Sequence, residues 1–428
     1  MESSFIDFFS FVGRDLYCED IPLKKIAEDV GTPFYVYSKN GILDKINRYK
    51  KAFQSYPTLI CYAAKANSNL SILKIFRENG LGLDIVSGGE LYRGLKAGFD
   101  PEKIVYAGVG KTDRELADAV KAGILSFNVE SFMEIEVIDR IAGSLGKKAN
   151  ISIRINPDVN PKTHPYISTG LRESKFGIDM EDAVKAYETA SKKKNLNVVG
   201  IHCHIGSQII DVSPYKEAVE KTVELVFKLK KIGIELKHID IGGGLGIKYR
   251  PDDNPPEPED LAKMVIPAVK ETGLKLLIEP GRSLIGEAGA LISQVIFLKD
   301  KGEKHFIIID SGMNDLLRPA MYNAYHHILP VTKKGKRVVA DIVGPICETG
   351  DFFAIDREID DLQRGDYLAV MSAGAYGFSM SSNYNTRPRA AEVLVDGNEY
   401  FVIRERESYD YIIEPEIKAL QKTSGEVE

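Results

Sequence analysis

Lys65 ends a short apolar run that begins at Thr58. Alternation predicts a strand here, with Leu59, Cys61, Ala63 and Lys65 on one face. No partner for the lysine is evident in the neighbouring sequence. A buried or half-buried amine is costly unless it is paired, neutralised, extended to water or used covalently. Lys65 is therefore a candidate nucleophile, and the plainer alternative is a solvated amine at a strand end.

Two glycine-rich turns lie far from Lys65 in the chain. One is Gly242–Gly246 and the other is Glu279-Pro280-Gly281-Arg282. Residues without a Cβ allow a ligand to approach the backbone, and the exposed N–H groups of such turns bind anions. We expect a phosphate cradle here, although a glycine triplet alone is more often an ordinary turn.

Two predicted strands carry polar side chains that face inward. His202 and His204 share one face of their strand, and Ser152 and Arg154 share one face of another. A lysine, a phosphate cradle, an inward histidine and an inward acid are together the groups that bind pyridoxal 5′-phosphate. In such a site the lysine forms a Schiff base, and the acid keeps the ring nitrogen protonated.

These residues lie in a regular alternation of strands and amphipathic helices. Eight strands over about 240 residues predict a (β/α)8 TIM barrel, with an open doubly wound sheet as the competing fold. Active sites of such barrels lie at the carboxyl ends of the strands, where the polar residues collect here. The predicted strands are 58–65, 82–86, 103–107, 125–129, 149–156, 197–204, 237–242 and 275–279.

The pattern changes after Gly286, where strands follow one another without long helices between them. This predicts a C-terminal antiparallel β domain of sandwich or barrel type. The N-terminal segment also contains a clear strand, at 32–38, and is assigned to the same domain. We predict a barrel domain at 39–284 and a β domain formed by 1–38 and 285–428.

Composition restricts the partners and the compartment. The chain has 56 Lys+Arg against 62 Asp+Glu, a net charge of -6 without long runs of one sign, which argues against nucleic acid or an anionic membrane as partner. Its start lacks a secretory pattern, and no apolar stretch is long enough to span a bilayer. Four scattered cysteines fit reduced thiols. We expect a cytoplasmic protein that binds a small molecule.

Ordered motifs along most of the chain resemble the fold-type III pyridoxal-phosphate decarboxylases, the class-II ornithine/lysine/arginine group, and most closely the diaminopimelate decarboxylases. The motifs that carry the resemblance are Tyr62-Ala63-Ala64-Lys65-Ala66, His202-Cys203-His204-Ile205-Gly206-Ser207-Gln208, Gly242-Gly243-Gly244, Glu279-Pro280-Gly281-Arg282, Leu317-Arg318-Pro319-Ala320-Met321-Tyr322, Cys347-Glu348-Thr349-Gly350-Asp351 and Ala373-Gly374-Ala375-Tyr376-Gly377.

The resemblance implies roles for the residues around the cofactor, pyridoxal 5′-phosphate. Lys65 resembles the Schiff-base lysine, His204 the histidine that stacks on the ring, and Glu279 the carboxylate that faces the pyridine nitrogen. A metal at His202 and His204 is not expected, because no third ligand accompanies them at motif spacing. The further cofactor-binding residues implied are Asp84, Ser207, Gly243, Gly244, Gly281, Arg282 and Tyr376.

The resemblance also implies how substrate is bound. Arg282, Arg318 and Tyr322 resemble residues that hold the distal amino-acid end of the substrate, and Tyr376 resembles a tyrosine near both substrate and phosphate. Arginine suits this task because its planar fork pairs with a carboxylate through two hydrogen bonds.

A second subunit is implied by the thiol and acid at Cys347 and Glu348. They resemble a pair that the family supplies from the neighbouring subunit of a homodimer with shared active sites. Cys347 would protonate the substrate carbon after CO2 leaves, and Glu348 would bind the distal ammonium. Residues 164–170 and 174–177 resemble a mobile loop that closes over the site.

The sequence thus predicts a carboxy-lyase that converts meso-2,6-diaminopimelate to L-lysine and CO2, the last step of lysine biosynthesis. Three alternatives stay open at this stage. One is a decarboxylase of the same family for ornithine, arginine or carboxynorspermidine. The others are a catalytically silent homologue that binds a partner enzyme, and a metal-dependent barrel enzyme.

Overall fold

A computed structural model describes residues 8–160 and 174–423 of the chain. They form two compact units. The domain limits given above, 39–284 for the barrel domain and 1–38 with 285–428 for the β domain, stay a prediction. The β unit comprises the described residues of Met1–Ile42, Tyr249–Asp252 and Gly286–Glu428, and the barrel unit comprises those of Leu43–Lys248 and Asp253–Ile285.

Short strands and two helices precede the barrel. The strand predicted at 32–38 is confirmed, whereas the small antiparallel sheet formed by the three strands before it was not predicted. In chain order the elements are β1 (Phe9–Val12), β2 (Asp15–Cys18), β3 (Ile21–Pro22), α1 (Leu23–Val30), β4 (Phe34–Ser38) and α2 (Lys39–Phe53).

The barrel unit alternates strands with helices. Most strand residues are buried, as expected for strands covered by helices on one side and packed inside a barrel on the other. The elements are β5 (Thr58–Ala63), α3 (Leu70–Glu78), β6 (Gly82–Ile85), α4 (Gly88–Lys96), β7 (Ile104–Tyr106), α5 (Asp113–Ala122), β8 (Ser126–Val129), α6 (Phe132–Ser144), β9 (Ala149–Asn156), β10 (Ile178–Asp179), α7 (Met180–Ser191), β11 (Leu196–His202), α8 (Ser213–Lys231), β12 (His238–Asp240), α9 (Pro258–Thr272), β13 (Lys275–Ile278) and α10 (Arg282–Ile285).

The eight predicted strands pair in parallel and close into a barrel. The order β5-β6-β7-β8-β9-β11-β12-β13 returns to β5, with Leu277 paired to Leu59 at the closure. The TIM-barrel prediction is confirmed and the open sheet is excluded, because β13 pairs with β5 and β8 pairs with β9. The carboxyl ends of all eight strands therefore lie at one rim.

The β unit is built around the long strand β14 and the N-terminal strand β4. Its elements after the barrel are β14 (Gly289–Lys301), β15 (Lys304–Ile309), α11 (Arg318–Tyr322), β16 (Ile328–Pro330), β17 (Arg337–Val343), β18 (Phe352–Asp360), β19 (Tyr367–Val370), β20 (Ala391–Asp396), β21 (Glu399–Arg404) and α12 (Tyr409–Thr423). The sheet order is β18-β17-β15-β14-β4-β20-β21, and β19 pairs with both β14 and β16.

The predicted β domain that includes the N-terminal segment is confirmed, with two refinements. Most pairings are antiparallel, but β4 runs parallel to β20 and β15 runs parallel to β17. Strands β16 and β18 were not predicted, because one has three residues and the other, Phe352–Asp360, ends in charged residues. Among the described helices, none is long and apolar enough to cross a membrane.

Candidate active site

Lys65 lies just beyond β5, not within it as predicted. The strand ends at Ala63, and Lys65 occupies a 3₁₀ turn, Ala64–Ala66. Its Nζ donates a 2.7 Å hydrogen bond to Oδ2 of Asp84, which lies in the neighbouring strand β6. The lysine side chain is 34% exposed whereas the Asp84 side chain is fully buried. The partner that the local sequence lacked thus comes from the next strand.

The environment of Asp84 makes it a weak acid. Burial raises the pKa of Asp84 to about 7, the charge of Glu279 adds to this effect, and Lys65 opposes it. Its second oxygen, Oδ1, is buried and has no hydrogen-bond partner among the residues that the structure describes. The Asp84 carboxyl is therefore able to hold or release a proton near neutral pH.

Glu279 follows β13 and is buried in the barrel. Its Oε2 lies 3.4 Å from Nε2 of His202, and its Oε1 accepts a 3.3 Å hydrogen bond from Asn128 Nδ2. Burial by itself raises the pKa of Glu279, but His202 and Lys65 outweigh burial and hold this pKa below its ordinary value. The carboxylate is consequently a negative charge facing the barrel interior.

Asp240, at the end of β12, has the opposite protonation preference. Burial, with the charge of Glu279 added to it, raises the pKa of Asp240 well above its ordinary value, although Gly242 N–H donates a 2.9 Å hydrogen bond to Oδ1. Two neighbouring buried carboxyls cannot both ionise cheaply, so one proton stays between them. We assign that proton to Asp240 and the charge to Glu279.

The same acids surround His202 in a way that the sequence spacing did not reveal. Candidate ligand atoms of His202, Asp240 and Glu279 lie within 4.8 Å of one another. Asp240 ends β12 and Glu279 directly follows β13, and these two strands come after β11 in the barrel. The proximity of the three residues therefore arises from strand order and not from motif spacing. The predicted lack of a metal role for these residues stays a prediction.

His204 is neutral in this structure. Its Nδ1 accepts a 3.2 Å hydrogen bond from the backbone N–H of Gly243, so the ring proton is on Nε2. Burial lowers the pKa of His204 well below its ordinary value, and the positive charges of Arg154 and Lys65 lower it further. His202 belongs to β11 but His204 lies beyond the strand, in contrast to the predicted strand 197–204.

The glycine turn after β12 packs directly on the turn after β13. A Cβ on Gly243 would lie 2.1 Å from the carbonyl oxygen of Glu279. Gly244 has φ +114°, and a Cβ there would lie 2.2 Å from the carbonyl oxygen of Gly206. A side chain at either position would collide with the backbone of a neighbouring turn, so only glycine fits there.

Anion-binding side chains lie beside this turn in the same unit. Arg282 is buried, and its Nη2 donates a 3.0 Å hydrogen bond to Ser207 Oγ. Gly281 packs closely on β5, since a Cβ there would lie 3.0 Å from the Cβ of Ala63. A guanidinium, a hydroxyl and glycine N–H groups are suitable donors for a phosphate.

The barrel residues together fit pyridoxal 5′-phosphate. An amine, an ionised buried carboxylate and a neutral imidazole suit its aldehyde, its protonated ring nitrogen and its ring face, respectively. The donors around Ser207 and Arg282 suit its phosphate. The buried Oδ1 of Asp84, without a partner among the described residues, adds a further polar atom that a ligand can satisfy.

The predicted substrate residues Arg318 and Tyr322 belong to the β unit. They are the first and last residues of α11, so the helix that would put them on one face is confirmed. Arg318 is buried, with Nη1 2.7 Å from Nε2 of His326. Neither His326 nor its contact was predicted from the sequence.

Cys347 and Glu348 lie in a loop that a buried acid holds in place. Both side chains are exposed, and the Cys347 thiol is free. Asp351 accepts hydrogen bonds of 2.7 Å from the Ile346 N–H and 2.6 Å from the Met313 N–H. The anchoring role of Asp351 was not predicted, although Asp351 ends the motif that contains the thiol.

Tyr376 has a strained backbone. Its φ is +56°, in the left-handed region that residues with a side chain seldom adopt, and its side chain is partly buried. Such strain costs about 1–3 kcal/mol and is concentrated at functional sites.

The predicted mobile loop is described only in part. Residues 164–170 lie outside the described residues. Phe176 lies 4.7 Å from the Arg154 guanidinium, measured to the ring centroid, and Gly177 N–H donates a 2.9 Å hydrogen bond to Glu130. Arg154 and Glu130 themselves form a buried ion pair at 2.9 Å.

Comparisons with known proteins identify the relatives of this chain. Residues 39–286 match the family model described as pyridoxal-dependent decarboxylase, pyridoxal binding domain. The diaminopimelate decarboxylase of Aquifex aeolicus is 62% identical over 411 residues, which cover 96% of this chain and 97% of that protein.

Solved structures agree with the sequence relatives. The crystal structure of diaminopimelate decarboxylase from Helicobacter pylori complexed with L-lysine has a TM-score of 0.90 at 43% identity, covering 93% of this chain and 100% of that one. The enzyme from M. jannaschii in co-complex with L-lysine has a TM-score of 0.92 at 42% identity, covering 96% and 97%.

Proposed function

Because the chain belongs to the diaminopimelate decarboxylase family of pyridoxal-dependent decarboxylases, we propose that it removes CO2 from meso-2,6-diaminopimelate to give L-lysine, the last step of lysine biosynthesis. The observation that carries the proposal is full-length similarity to relatives named for this reaction. Two of those relatives have solved structures with L-lysine, the proposed product.

The barrel residues support the cofactor's role. Pyridoxal 5′-phosphate supplies an electron sink for the pair of electrons left when the carboxylate departs. Lys65 is the amine that would bond to its aldehyde, and Asp84 accepts the amine's hydrogen bond and fixes its direction. The Lys65 side chain is 34% exposed, so it is not sealed inside the barrel unit.

Glu279 would keep the ring nitrogen protonated. The carboxylate is ionised and buried, so its charge is not screened by water and favours a proton on the facing nitrogen. A strong electron sink favours decarboxylation. His204, neutral and hydrogen-bonded to the Gly243 N–H, would stack on the ring face.

We assign the phosphate to the donors at the ends of β11, β12 and β13. A phosphate would accept hydrogen bonds from backbone N–H groups, including that of Arg282, and from the Ser207 hydroxyl, which holds the cofactor in one orientation. The barrel residues proposed to bind it are Ser207, Gly243, Gly244, Gly281 and Arg282. Tyr376, which follows β19 in the β unit, is proposed as a further cofactor-binding residue because of the family resemblance.

The substrate's distal end distinguishes diaminopimelate from ornithine, because only diaminopimelate carries a second carboxylate. Arg318 and Tyr322 on α11, with Arg282 and Tyr376, are proposed to bind that end, and Glu348 its ammonium. Arg318 is suited to a planar, bidentate contact with the carboxylate.

Cys347 is proposed to donate a proton to the substrate carbon from the partner subunit of a homodimer. Its exposed, free thiol and the anchored loop support this role. Replacement by alanine should reduce lysine formation strongly while cofactor binding is kept. Unchanged turnover and product in Cys347→Ala would remove Cys347 from the mechanism.

The cytoplasmic location of the protein stays a prediction.

The test is CO2 release by the cofactor-loaded protein with meso-diaminopimelate, L-ornithine and L-arginine side by side, with each product identified. Release from meso-diaminopimelate alone, with lysine as product, is the expected result. Release from ornithine or arginine would retain the cofactor chemistry and overturn the substrate assignment. Silence on all three substrates with cofactor bound would favour a silent homologue.

Arg318→Lys is the matched variant for the distal contact. Lysine keeps the charge but loses the planar fork, so we expect the KM for meso-diaminopimelate to rise about tenfold with kcat nearly kept.

A chelator in the same assay tests the metal-dependent alternative, which requires loss of activity on chelation.

A further inference from the structure

A buried histidine connects α11 to the strand layer of the β unit. His326 is fully buried and lies eight residues after Arg318. Its Nδ1 is 2.8 Å from the carbonyl oxygen of Met371, and its Nε2 is 2.7 Å from Nη1 of Arg318. The imidazole therefore bridges a backbone carbonyl and a guanidinium.

The chemistry of these two partners fixes the tautomer of His326. A carbonyl oxygen only accepts, so the proton of the ring must be on Nδ1, which donates to Met371. A guanidinium N–H only donates, so Nε2 must be the unprotonated acceptor toward Arg318. His326 is thus neutral, and both ring nitrogens have a defined role.

An aromatic ring completes the support of the guanidinium. The Cζ of Arg318 lies 4.5 Å from the ring centroid of Tyr249, within cation–π range. Tyr249 also meets His326 edge to face, with ring centroids 5.2 Å apart and planes at 79°. Histidine and tyrosine thus hold Arg318 from two directions.

We propose that His326 is a positioning residue for substrate specificity: as a neutral acceptor bonded to Met371, it orients the Arg318 guanidinium for the distal carboxylate of the substrate. This inference rests on the proposed function. A neutral acceptor suits the task because it aligns the guanidinium without cancelling its positive charge, whereas a carboxylate in this place would compete with the substrate.

Two substitutions separate the bonds of the imidazole. In His326→Asn the side-chain NH2 can replace Nδ1 toward Met371, but the shorter side chain has no acceptor at the position of Nε2. In His326→Gln the side-chain oxygen can replace Nε2 and accept from Arg318. We expect His326→Asn to raise the KM for meso-diaminopimelate about tenfold with kcat nearly kept, and His326→Gln to restore most of the affinity.

Competing ligands provide a readout that a purely structural role would not move. L-Lysine keeps the distal carboxylate, and pentane-1,5-diamine has the same chain without it. We expect the inhibition constant of L-lysine to rise about tenfold in His326→Asn, with that of the diamine unchanged. Circular dichroism and cofactor absorbance of each loaded variant show whether the fold and the site are intact.

The outcomes distinguish this inference from the proposed function. Wild-type protein that does not decarboxylate meso-diaminopimelate would overturn the function first. If the wild type is active, then equal weakening of both inhibitors, or equal KM values for His326→Asn and the wild type, would overturn the positioning role. Loss of folding in both variants would assign His326 to stability and also overturn the inference.

Discussion

Lys65 and Asp84 are joined by a 2.7 Å hydrogen bond between the ends of two neighbouring barrel strands. The acid is fully buried and the amine is one-third exposed. The buried carboxylate of Asp84 therefore fixes the direction of the Lys65 amine, while part of the lysine side chain remains exposed. This relationship connects residues 19 apart in the chain, and it is the basis of the first prediction.

Lys65→Arg keeps a positive charge beside Asp84 but removes the primary amine. We expect CO2 release to fall on the order of a thousandfold or more, as for loss of a covalent nucleophile. The check is borohydride treatment followed by peptide mass analysis, which should attach the cofactor to the Lys65 peptide of the wild type only. Cofactor attached at another lysine would contradict the assignment.

Glu279→Gln and Asp240→Asn form a matched pair, because each replaces a carboxyl by its amide. Glu279 is assigned the negative charge, so its substitution should lower kcat about a hundredfold. Burial raises the pKa of Asp240 well above its ordinary value and Asp240 is assigned the shared proton, so its substitution should remove no charge and change kcat only slightly. Steady-state kinetics at pH 7 decide between them, and the reverse order of effects would reverse the two assignments.

Gly243→Ala tests the close contact between the two glycine turns. The added methyl would lie 2.1 Å from the Glu279 carbonyl oxygen, so the turn must move. We expect destabilisation of about 1–3 kcal/mol and weaker cofactor binding. Gly110→Ala is the control, since a Cβ there meets nothing within 4 Å. Denaturant unfolding and cofactor titration measure both effects, and equal behaviour of the variants would contradict the argument.

Asp315 predicts a pH dependence of stability in the β unit. Burial raises its pKa from 3.8 to about 7. Between these values the folded state keeps a proton that the unfolded chain releases, so its contribution to the free energy of unfolding is present at low pH and falls as pH rises toward 7. Urea unfolding from pH 4 to 8 should show a decline that is smaller in Asp315→Asn by a few kcal/mol.

Asp118→Asn is the control for the pH series. Its side chain is 53% exposed, and it should leave the decline unchanged. An Asp315→Asn variant whose decline equals that of the wild type would show that Asp315 is ionised in the folded state at these pH values.

Much of the fold follows from local pattern. Short apolar strands alternating with amphipathic helices predicted all eight barrel strands, because burial on both faces of a strand leaves a continuous apolar run in the sequence. Strands that are short, such as Ile328–Pro330, or only partly buried, such as Phe352–Asp360, lack that signal. The predicted strand also extended too far: it included Lys65, which lies in the 3₁₀ turn that follows the strand.

The amino-acid sequence by itself determined which reactive groups the chain carries and in which order: the amine of Lys65, the acid of Glu279 and the glycine turn at 242–244. Only the tertiary structure decided their chemical states. Strand order in the barrel brings Asp84 to Lys65 and Asp240 to Glu279. Burial opposes the charge of both Asp240 and Glu279, and His202 and Lys65 beside Glu279 decide that Glu279 is the carboxyl that ionises. Ionisation depends on distance and on exclusion of water, and neither quantity is encoded in the local spacing of residues.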